Sequence, residues 1–361
     1  MKVLHVITNL QMGGAEKLLT LLLPELKKRG LDVEILLLDG TRTSISEELE
    51  NKSIKIHYLG FIKNVYHPLY LLKLIRFLSK HNYDIVHTHN TSPQIFAAIA
   101  HLLHKNYKLF TTEHSTSNRR RNIKWLKPVD RWMYRQYDGI ICISDQAELN
   151  LRTYLNRSDC NITTIYNGVD VSRIASTSSD NNMRTNSNRF IVTMVARMVD
   201  AKDQDTLIRS FTHLPKDEFE LWLVGDGPRR PLLESLATQM NLTDNIKFWG
   251  VRTDVPVLLK SSDIIVMSSH YEGLSLSNIE GMAAGKPFVA SDVDGIREVT
   301  QDAGLLFPHE DEKTLSEILI RLKSDKCLYE SVASSCLGRS KKYDISIMAE
   351  RYCLLYKKYT D

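Results

Sequence analysis

Short, nearly continuous apolar runs alternate along this chain with stretches in which apolar residues recur every three or four positions. In the first half the runs are KVLHVI, DVEILLL, DIVHTH, KLFTTE, GIICIS and NITTIY; in the second they are RFIVTMVA, FELWLVG, NIKFWG, DIIVMSS and KPFVAS. Their β-branched content and lack of polar alternation predict strands covered on both faces, as in parallel sheets. Helical candidates lie between them at 15–29, 67–80, 145–155, 203–213, 230–240 and 311–323. This alternation predicts an α/β protein built on doubly wound parallel sheets. The rhythm breaks once, at DVSRIASTSSDNNMRTNSNR, from Asp170 to Arg189, a stretch rich in Ser, Asn and Thr. That break predicts a surface linker at 171–189, between a domain of residues 1–170 and a second that begins at residue 190. Two domains also suit a chain of 361 residues, more than one core usually organises. In doubly wound sheets ligands bind beyond the carboxyl ends of the strands, so chemistry is expected in the loops that follow strands.

Composition narrows the class. Charged residues make up 25% and hydrophobic ones 43%, an ordinary globular balance. The five cysteines, Cys142, Cys160, Cys327, Cys336 and Cys353, are scattered without CxxC pairing. Such a set argues for a reducing compartment and against a disulfide frame or zinc site. MKVLHVITNL is too short and too interrupted for a signal peptide, and LLTLLLPELKKRG is broken by Pro24 and charges. A cytoplasmic chain without a spanning helix is therefore expected. The net charge of +4 is uneven: residues 1–170 hold 23 Lys and Arg against 16 Asp and Glu, and the remainder 24 against 27. A basic front half suggests an anionic partner there. Nucleic acid is not expected, because no binding motif is present and the total charge is small.

Four loops after strands carry candidate chemistry. NLQMGGAEK places Gly13 and Gly14 before a helix with Glu16 in its first turn. Such glycines let amides approach an anion at a helix start, although the same pattern also makes a plain turn. It is not GxGxxG, which disfavours a dinucleotide enzyme. ARMVDAKD puts Arg197 directly after a strand and Lys202 five residues later. A guanidinium fork and an ammonium can converge there on a diphosphate, or both can simply be solvated. GDGP, at 225–228, reads first as a tight turn feeding a helix and second as a nucleotide-lining loop through Gly225. HYEGLSLSNIEGMAAGKP sets Glu272 before a helix start and Glu280 within the helix, which ends at Gly285. The amides of Gly273, Leu274, Ser275 and Leu276 point out of that helix start. A sugar and its phosphate can lie across them, with Glu272 accepting from sugar hydroxyls and Glu280 from ribose hydroxyls.

Taken together and in order, GGAE (13–16), HTH (87–89), EHS (113–115), IYNGVD (165–170), ARMVDAKD (196–203), GDGP (225–228) and EGLSLSNIEGMAAGKPFVASDVDGIREV (272–299) extend over nearly the whole chain. With them the chain resembles the retaining glycosyltransferases of family 4, which have the GT-B fold and include bacterial polysaccharide and lipid-linked-sugar enzymes. The resemblance implies two Rossmann-like domains facing a cleft, the N-terminal one for the acceptor and the C-terminal one for a nucleotide-sugar. It implies that the C-terminal domain covers 190–343 and that the segment 344–361, with DISIMAERYCLLYKKY at 344–359, is a helix returning to the N-terminal domain. Arg197 and Lys202 would neutralise the donor diphosphate, Glu272 and the amides of 273–276 would hold the sugar, and Glu280 the ribose. Gly13 and Gly14 would close on the phosphates, Gly225 would line the nucleotide, and His114 would sit by the sugar near the reacting carbon. No metal and no cofactor are implied. Ser275 stands where many relatives carry Pro, Gly281 where most carry Ala, and Asp294 where Gly is frequent, which bears on donor preference. DVD, at 292–294, also matches the metal-binding acid pair of the other major glycosyltransferase fold, but its place between a strand and a helix start disfavours that role.

UDP is the favoured donor base, by family frequency, and GDP the other candidate; the acceptor would be a glycan or a pyrophosphate-linked lipid. HPLYLLKLIRFLSKH (67–81) and SNRRRNIKWLKPVDRWMYR (117–135) combine basic residues, among them Arg119–Arg121, Lys124 and Lys127, with Trp125 and Trp132. They suit an anionic membrane surface or a lipid pyrophosphate, and equally a solvated helix above a core stripe. Six of the twelve histidines fall in 81–114, where the plain reading is polar filling; a metal pair of His87 and His89 lacks a neighbouring acid or Cys. Two other functions share the scaffold: a nucleotide-sugar 2-epimerase and a non-catalytic nucleotide-sugar-binding protein.

Overall fold

A computed structural model of the chain describes residues 1–360 except Met12, Lys63 and residues 116–118, 157–160 and 185–187. Cys160, Ser117 and Asn118, the part of the expected linker at 185–187, and the side chains of Arg119 and Lys124 lie outside the described residues. The chain divides into two compact units, Met1–Gly168 with Ile345–Asp361, and Val169–Asp344.

The first unit is built on strands β1 Lys2–Ile7, β2 Asp32–Leu37, β3 Lys55–Tyr58, β4 Ile85–His89, β5 Lys108–Glu113, β6 Gly139–Cys142 and β7 Ile162–Thr164. Among the described residues they form one sheet in the order β3-β2-β1-β4-β5-β6-β7, every pairing parallel. The second unit holds β8 Phe190–Val195, β9 Phe219–Val224, β10 Ile246–Gly250, β11 Ile264–Met267, β12 Phe288–Ser291 and β13 Leu305–Phe307. Their order is β10-β9-β8-β11-β12-β13, again all parallel. Both sheets reverse winding direction beside their first strand, between β1 and β4 and between β8 and β11. These are the switch points at which such sheets bind ligands.

The apolar runs explain the central strands. β1, β2, β4 and β5 bury nearly every residue, including the polar His5, His87 and His89. Two strands escape the sequence pattern, β3 (KIHY) and β13 (LLF), and both are sheet edges. An edge strand is covered by fewer neighbours, so it needs no continuous apolar run.

The stretch 171–189, expected to be a linker, is corrected. Val171–Ser176 form a helix capped by the Asp170 side chain, with Val171 and Ile174 buried. Further on, the Asp180 amide donates to Ser261 Oγ at 2.8 Å and Arg184 pairs with Asp263 at 2.7 Å. Few apolar residues are needed to dock so short a helix, and Ser- and Asn-rich composition conceals them. The helix Ile345–Thr360 belongs to the first unit, where it packs on the helix Gly14–Lys28 and buries Tyr352 and Tyr356 completely. The helix Gly14–Lys28 runs through Pro24.

Candidate active site

In the second unit, loops following four strands meet backbone to backbone. After β8 the chain passes Arg197, makes one turn of 3-10 helix at Asp200–Lys202, and enters the helix Gln204–Ser210. After β9 comes GDGP. Gly225 has φ +128°, and a Cβ there would lie 2.1 Å from the Ala196 carbonyl oxygen; one on Gly227 would lie 2.3 Å from that of Met198. The Met198 amide donates to Asp226 O at 3.0 Å and the Arg229 amide to Met198 O at 3.1 Å. Glycine at 225 is therefore a requirement of close approach as well as of backbone conformation.

After β11 the loop carries Glu272. Its Oε1 accepts from Lys202 Nζ and, at 2.9 Å, from Ser269 Oγ. Lys202 and Glu272 are thus brought together across the switch point, from β8 and β11. Their side chains are only 19% and 10% exposed, so the pair is shielded from bulk water. The same loops are joined by the His270 amide on Ala201 O at 3.0 Å and Ser268 Oγ on Asp203 O at 2.7 Å. Arg197 extends into solvent with its side chain exposed. Ser275 heads the helix Leu276–Ala283 without a side-chain cap, Leu274 and Leu276 are buried, Gly273 is half-buried, and Glu280 is buried within the helix.

Sequence reasoning passed over Gly295. With φ +81° it packs so tightly that a Cβ would lie 2.2 Å from the Glu272 carbonyl oxygen. The Asp-Gly dipeptide after β12 was the available signal. Asp292 and Asp294 of the DVD segment both face Arg297. Gly281 is explained by its neighbours: a Cβ there would meet Ile265 Cγ2 and Phe288 Cδ2, each at 2.9 Å.

In the first unit Gly13 and Gly14 head the helix Gly14–Lys28, and Gly13 offers no side-chain cap. The Glu16 carboxylate folds back over this start, so that a Cβ on Gly13 would lie 2.2 Å from Glu16 Oε2. Asn90, after β4, donates to Glu16 Oε1 at 3.4 Å. An anion arriving at these amides would meet a carboxylate already beside them.

His114 ends a relay of rings. His5 Nδ1 meets His89 Nε2 at 2.9 Å, and His89 Nδ1 meets His114 Nε2 at 2.8 Å. His87 stacks on His89 with ring centres 4.7 Å apart, and its nitrogens meet Tyr356 OH at 2.6 Å and Thr112 Oγ1 at 2.8 Å. His87 and His89 are therefore engaged in hydrogen bonds as polar core. His114 also lines a pocket of about 190 Å³ with Asn90, Thr91, Gln94, Thr112, Glu113 and Ser115.

Burial lowers the His5 pKa to about 3 and that of His114 to about 4, and holds His87 and His89 well below the usual imidazole value. The unfolded chain takes up protons near pH 6.5 that the folded one refuses. Stability is thus full above that pH and is lost as pH falls toward 4. Each such histidine makes unfolding easier by about 1.4 kcal/mol per pH unit in this window. The melting temperature should drop steeply from pH 7 to pH 5; a flat profile would contradict neutral buried rings.

The basic segment is only partly a surface. Arg120 pairs with Asp130 at 3.1 Å and Arg121 with Glu113 at 2.9 Å, both nearly buried. These two arginines therefore neutralise buried acids, contrary to the expectation that they present charge outward. Trp125 is 73% exposed and Trp132 37%.

No helix among the described residues is long and apolar enough to cross a membrane. Residues 12–173 match the family described as Glycosyltransferase Family 4, and residues 176–335 that described as Glycosyl transferases group 1. The chain is 27% identical over 274 residues to UDP-Gal:alpha-D-GlcNAc-diphosphoundecaprenol alpha-1,3-galactosyltransferase of Escherichia coli, covering 72% of this chain and 71% of that one. It is 26% identical to the lipopolysaccharide core biosynthesis glycosyltransferase LpsD of Rhizobium meliloti (strain 1021), covering 92% and 91%. In fold it resembles Anabaena Alr3699/HepE, solved in complex with UDP-glucose, with TM-score 0.85 at 22% identity over 99% of this chain and 100% of that one. With two consecutive matches spanning almost all of its length, the chain belongs to the family 4 glycosyltransferases of the GT-B fold.

Proposed function

We propose that this glycosyltransferase moves a hexose-type sugar from a UDP-sugar, with retention of anomeric configuration, to a lipid-linked or glycan acceptor in bacterial surface polysaccharide or glycolipid synthesis. The observation that carries the proposal is the Lys202–Glu272 pair at the switch point of the second unit. Support for the donor comes from a fold relative solved with UDP-glucose and a sequence relative named for UDP-Gal; support for the acceptor comes from that relative's diphosphoundecaprenol name. GDP is the alternative base.

Departure of the nucleoside diphosphate leaves added negative charge on its terminal phosphate. One cation at 4 Å contributes roughly 4 kcal/mol at an effective dielectric near 20, whereas a helix terminus contributes about 0.3–1 kcal/mol. Lys202 and Arg197 thus dominate stabilisation of the leaving group, and the amides of 273–276 position it. Glu272 receives the sugar hydroxyls and Glu280 the ribose. Gly13, Gly14 and Gly225 serve the donor as backbone contacts, and His114, neutral at working pH, accepts from or donates to a sugar hydroxyl. Double displacement needs a free carboxylate nucleophile. Glu272 is engaged by Lys202 and Ser269, which favours same-face attack with the departing phosphate accepting the acceptor's proton.

Incubation with UDP- and GDP-sugars and a lipid-linked acceptor, read by mass spectrometry, tests the transfer, and the anomeric coupling in the product tests retention. An extended acceptor of retained configuration is expected. An inverted product removes the mechanism, and an epimerised sugar released without acceptor establishes the epimerase instead.

Exposed Trp125 and Trp132 support contact with an anionic membrane surface. Co-sedimentation with anionic vesicles should weaken several-fold in Trp125→Ala and fade with salt. Equal recovery with neutral and anionic vesicles would remove the membrane claim.

A further inference from the structure

We infer that Asp203, His270 and His309 form a binding site for one divalent transition-metal ion in the second unit. The three residues come from three different loops, after β8, β11 and β13, at the carboxyl end of one sheet. His270 Nδ1 lies 2.7 Å from His309 Nε2 and 3.8 Å from Asp203 Oδ2, and all three candidate ligand atoms lie within 4.8 Å of one another. Ligands at about 2.0–2.2 Å from a tetrahedral ion are about 3.4 Å apart, a spacing these distances bracket. Small side-chain rotations suffice to admit the ion.

Asp203 supplies the second, independent observation. It is 4% exposed, and its Oδ2 has no hydrogen-bond partner among the described residues. Its Oδ1 is fixed by the Thr206 amide at 3.2 Å, as the cap of the helix Gln204–Ser210. The cap thereby holds the carboxylate with its unsatisfied oxygen on the histidine side, as an outer-shell contact orients a metal ligand. Glu310 Oε1 lies 3.6 Å from His270 Nδ1 and 4.0 Å from His309 Nε2, in reach of a fourth position. Two imidazole nitrogens with one or two carboxylates suit Zn²⁺ or Co²⁺; Ca²⁺ and Mg²⁺ prefer oxygen throughout.

The site has a consequence for its neighbours. Asp203 follows Lys202 directly, and His270 precedes Glu272 by two residues. An ion held by Asp203, His270 and His309 fastens together the loops that carry the Lys202–Glu272 pair. Its role is to clip the backbone; no step of sugar transfer passes through it.

The test is a Zn²⁺ titration of chelator-stripped full-length protein by calorimetry, alongside Co²⁺ absorption spectroscopy. One ion per chain with sub-micromolar affinity and a tetrahedral Co²⁺ spectrum are expected. His309→Ala and Asp203→Asn, which keeps a capping oxygen but loses the charge, should each weaken that binding at least 100-fold while melting like stripped wild type. Should His309→Ala not fold, Asp203→Asn decides. No saturable binding at micromolar Zn²⁺, or unchanged stoichiometry and affinity in the folded variants, overturns the assignment. Because the readout is ion binding, the result is independent of whether the transfer reaction is as proposed.

Discussion

Lys202→Ala should lower kcat by between tenfold and several hundredfold, with the variant folded and melting close to wild type. Two losses combine. The transition state loses a cation worth up to roughly 4 kcal/mol, equivalent to nearly three factors of ten. The substitution also leaves Glu272, whose side chain is 10% exposed, with its charge unneutralised beside the proposed place of the anionic leaving group. Replacing Glu272 with Gln in the same chain removes that second penalty, so the double variant should be less impaired than the two single effects combined. Such non-additivity marks residues that act as a unit. Fold is spared because the pair joins the loops after β8 and β11, outside the apolar core. Steady-state kinetics with saturating donor, together with thermal melting, checks this; near-normal turnover by a folded Lys202→Ala variant would contradict it.

Gly295→Ala should be a severe single-methyl substitution, because it acts on the loop that carries Glu272. At φ +81° an L side chain costs about 1–2 kcal/mol by itself. The added Cβ would also lie 2.2 Å from Glu272 O, 2.8 Å from Glu272 C and 2.9 Å from Gly273 O, all backbone atoms that cannot rotate away. The loop bearing Glu272 and the Gly273 amide must therefore move. A fall of several degrees in melting temperature and at least a tenfold loss in donor kcat/KM are expected. Gly30→Ala is the control, because Gly30 shares a positive φ of +84° but has nothing within 4 Å of its added Cβ. That variant should lose stability alone. Equal activity losses in both variants would mean that strain, not displacement of the Glu272 loop, explains the effect.

Much of the fold was legible because parallel strands buried on both faces must be apolar throughout. β1, β8 and β11 could be read directly for that reason. β3 and β13 could not, since edge position relaxes the requirement. The helix Lys326–Ser340 (KCLYESVASSCLGRS) was missed because it has no apolar periodicity. Lys202 and Glu272 were picked out by their places after strands, and the sheet order explains why they meet: β8 and β11 are adjacent although far apart in sequence. Sequence gave no hint that the two would bind each other. Arg120 and Arg121 looked like surface charge because the acids they neutralise, Asp130 and Glu113, are revealed as partners only by packing. The Asp203, His270 and His309 grouping was hidden for the same reason, as its members lie on three separate loops.

The central claim is that Arg197, Lys202 and the amides of 273–276 gather on one donor diphosphate in the second unit. A crystal of the protein soaked with a UDP-sugar tests it most directly. The diphosphate should lie within hydrogen-bonding distance of the Arg197 guanidinium and Lys202 Nζ, with the ribose hydroxyls on Glu280. A ligand bound elsewhere, or bound with Arg197 still extended into solvent and Lys202 still engaged by Glu272 alone, would contradict the account.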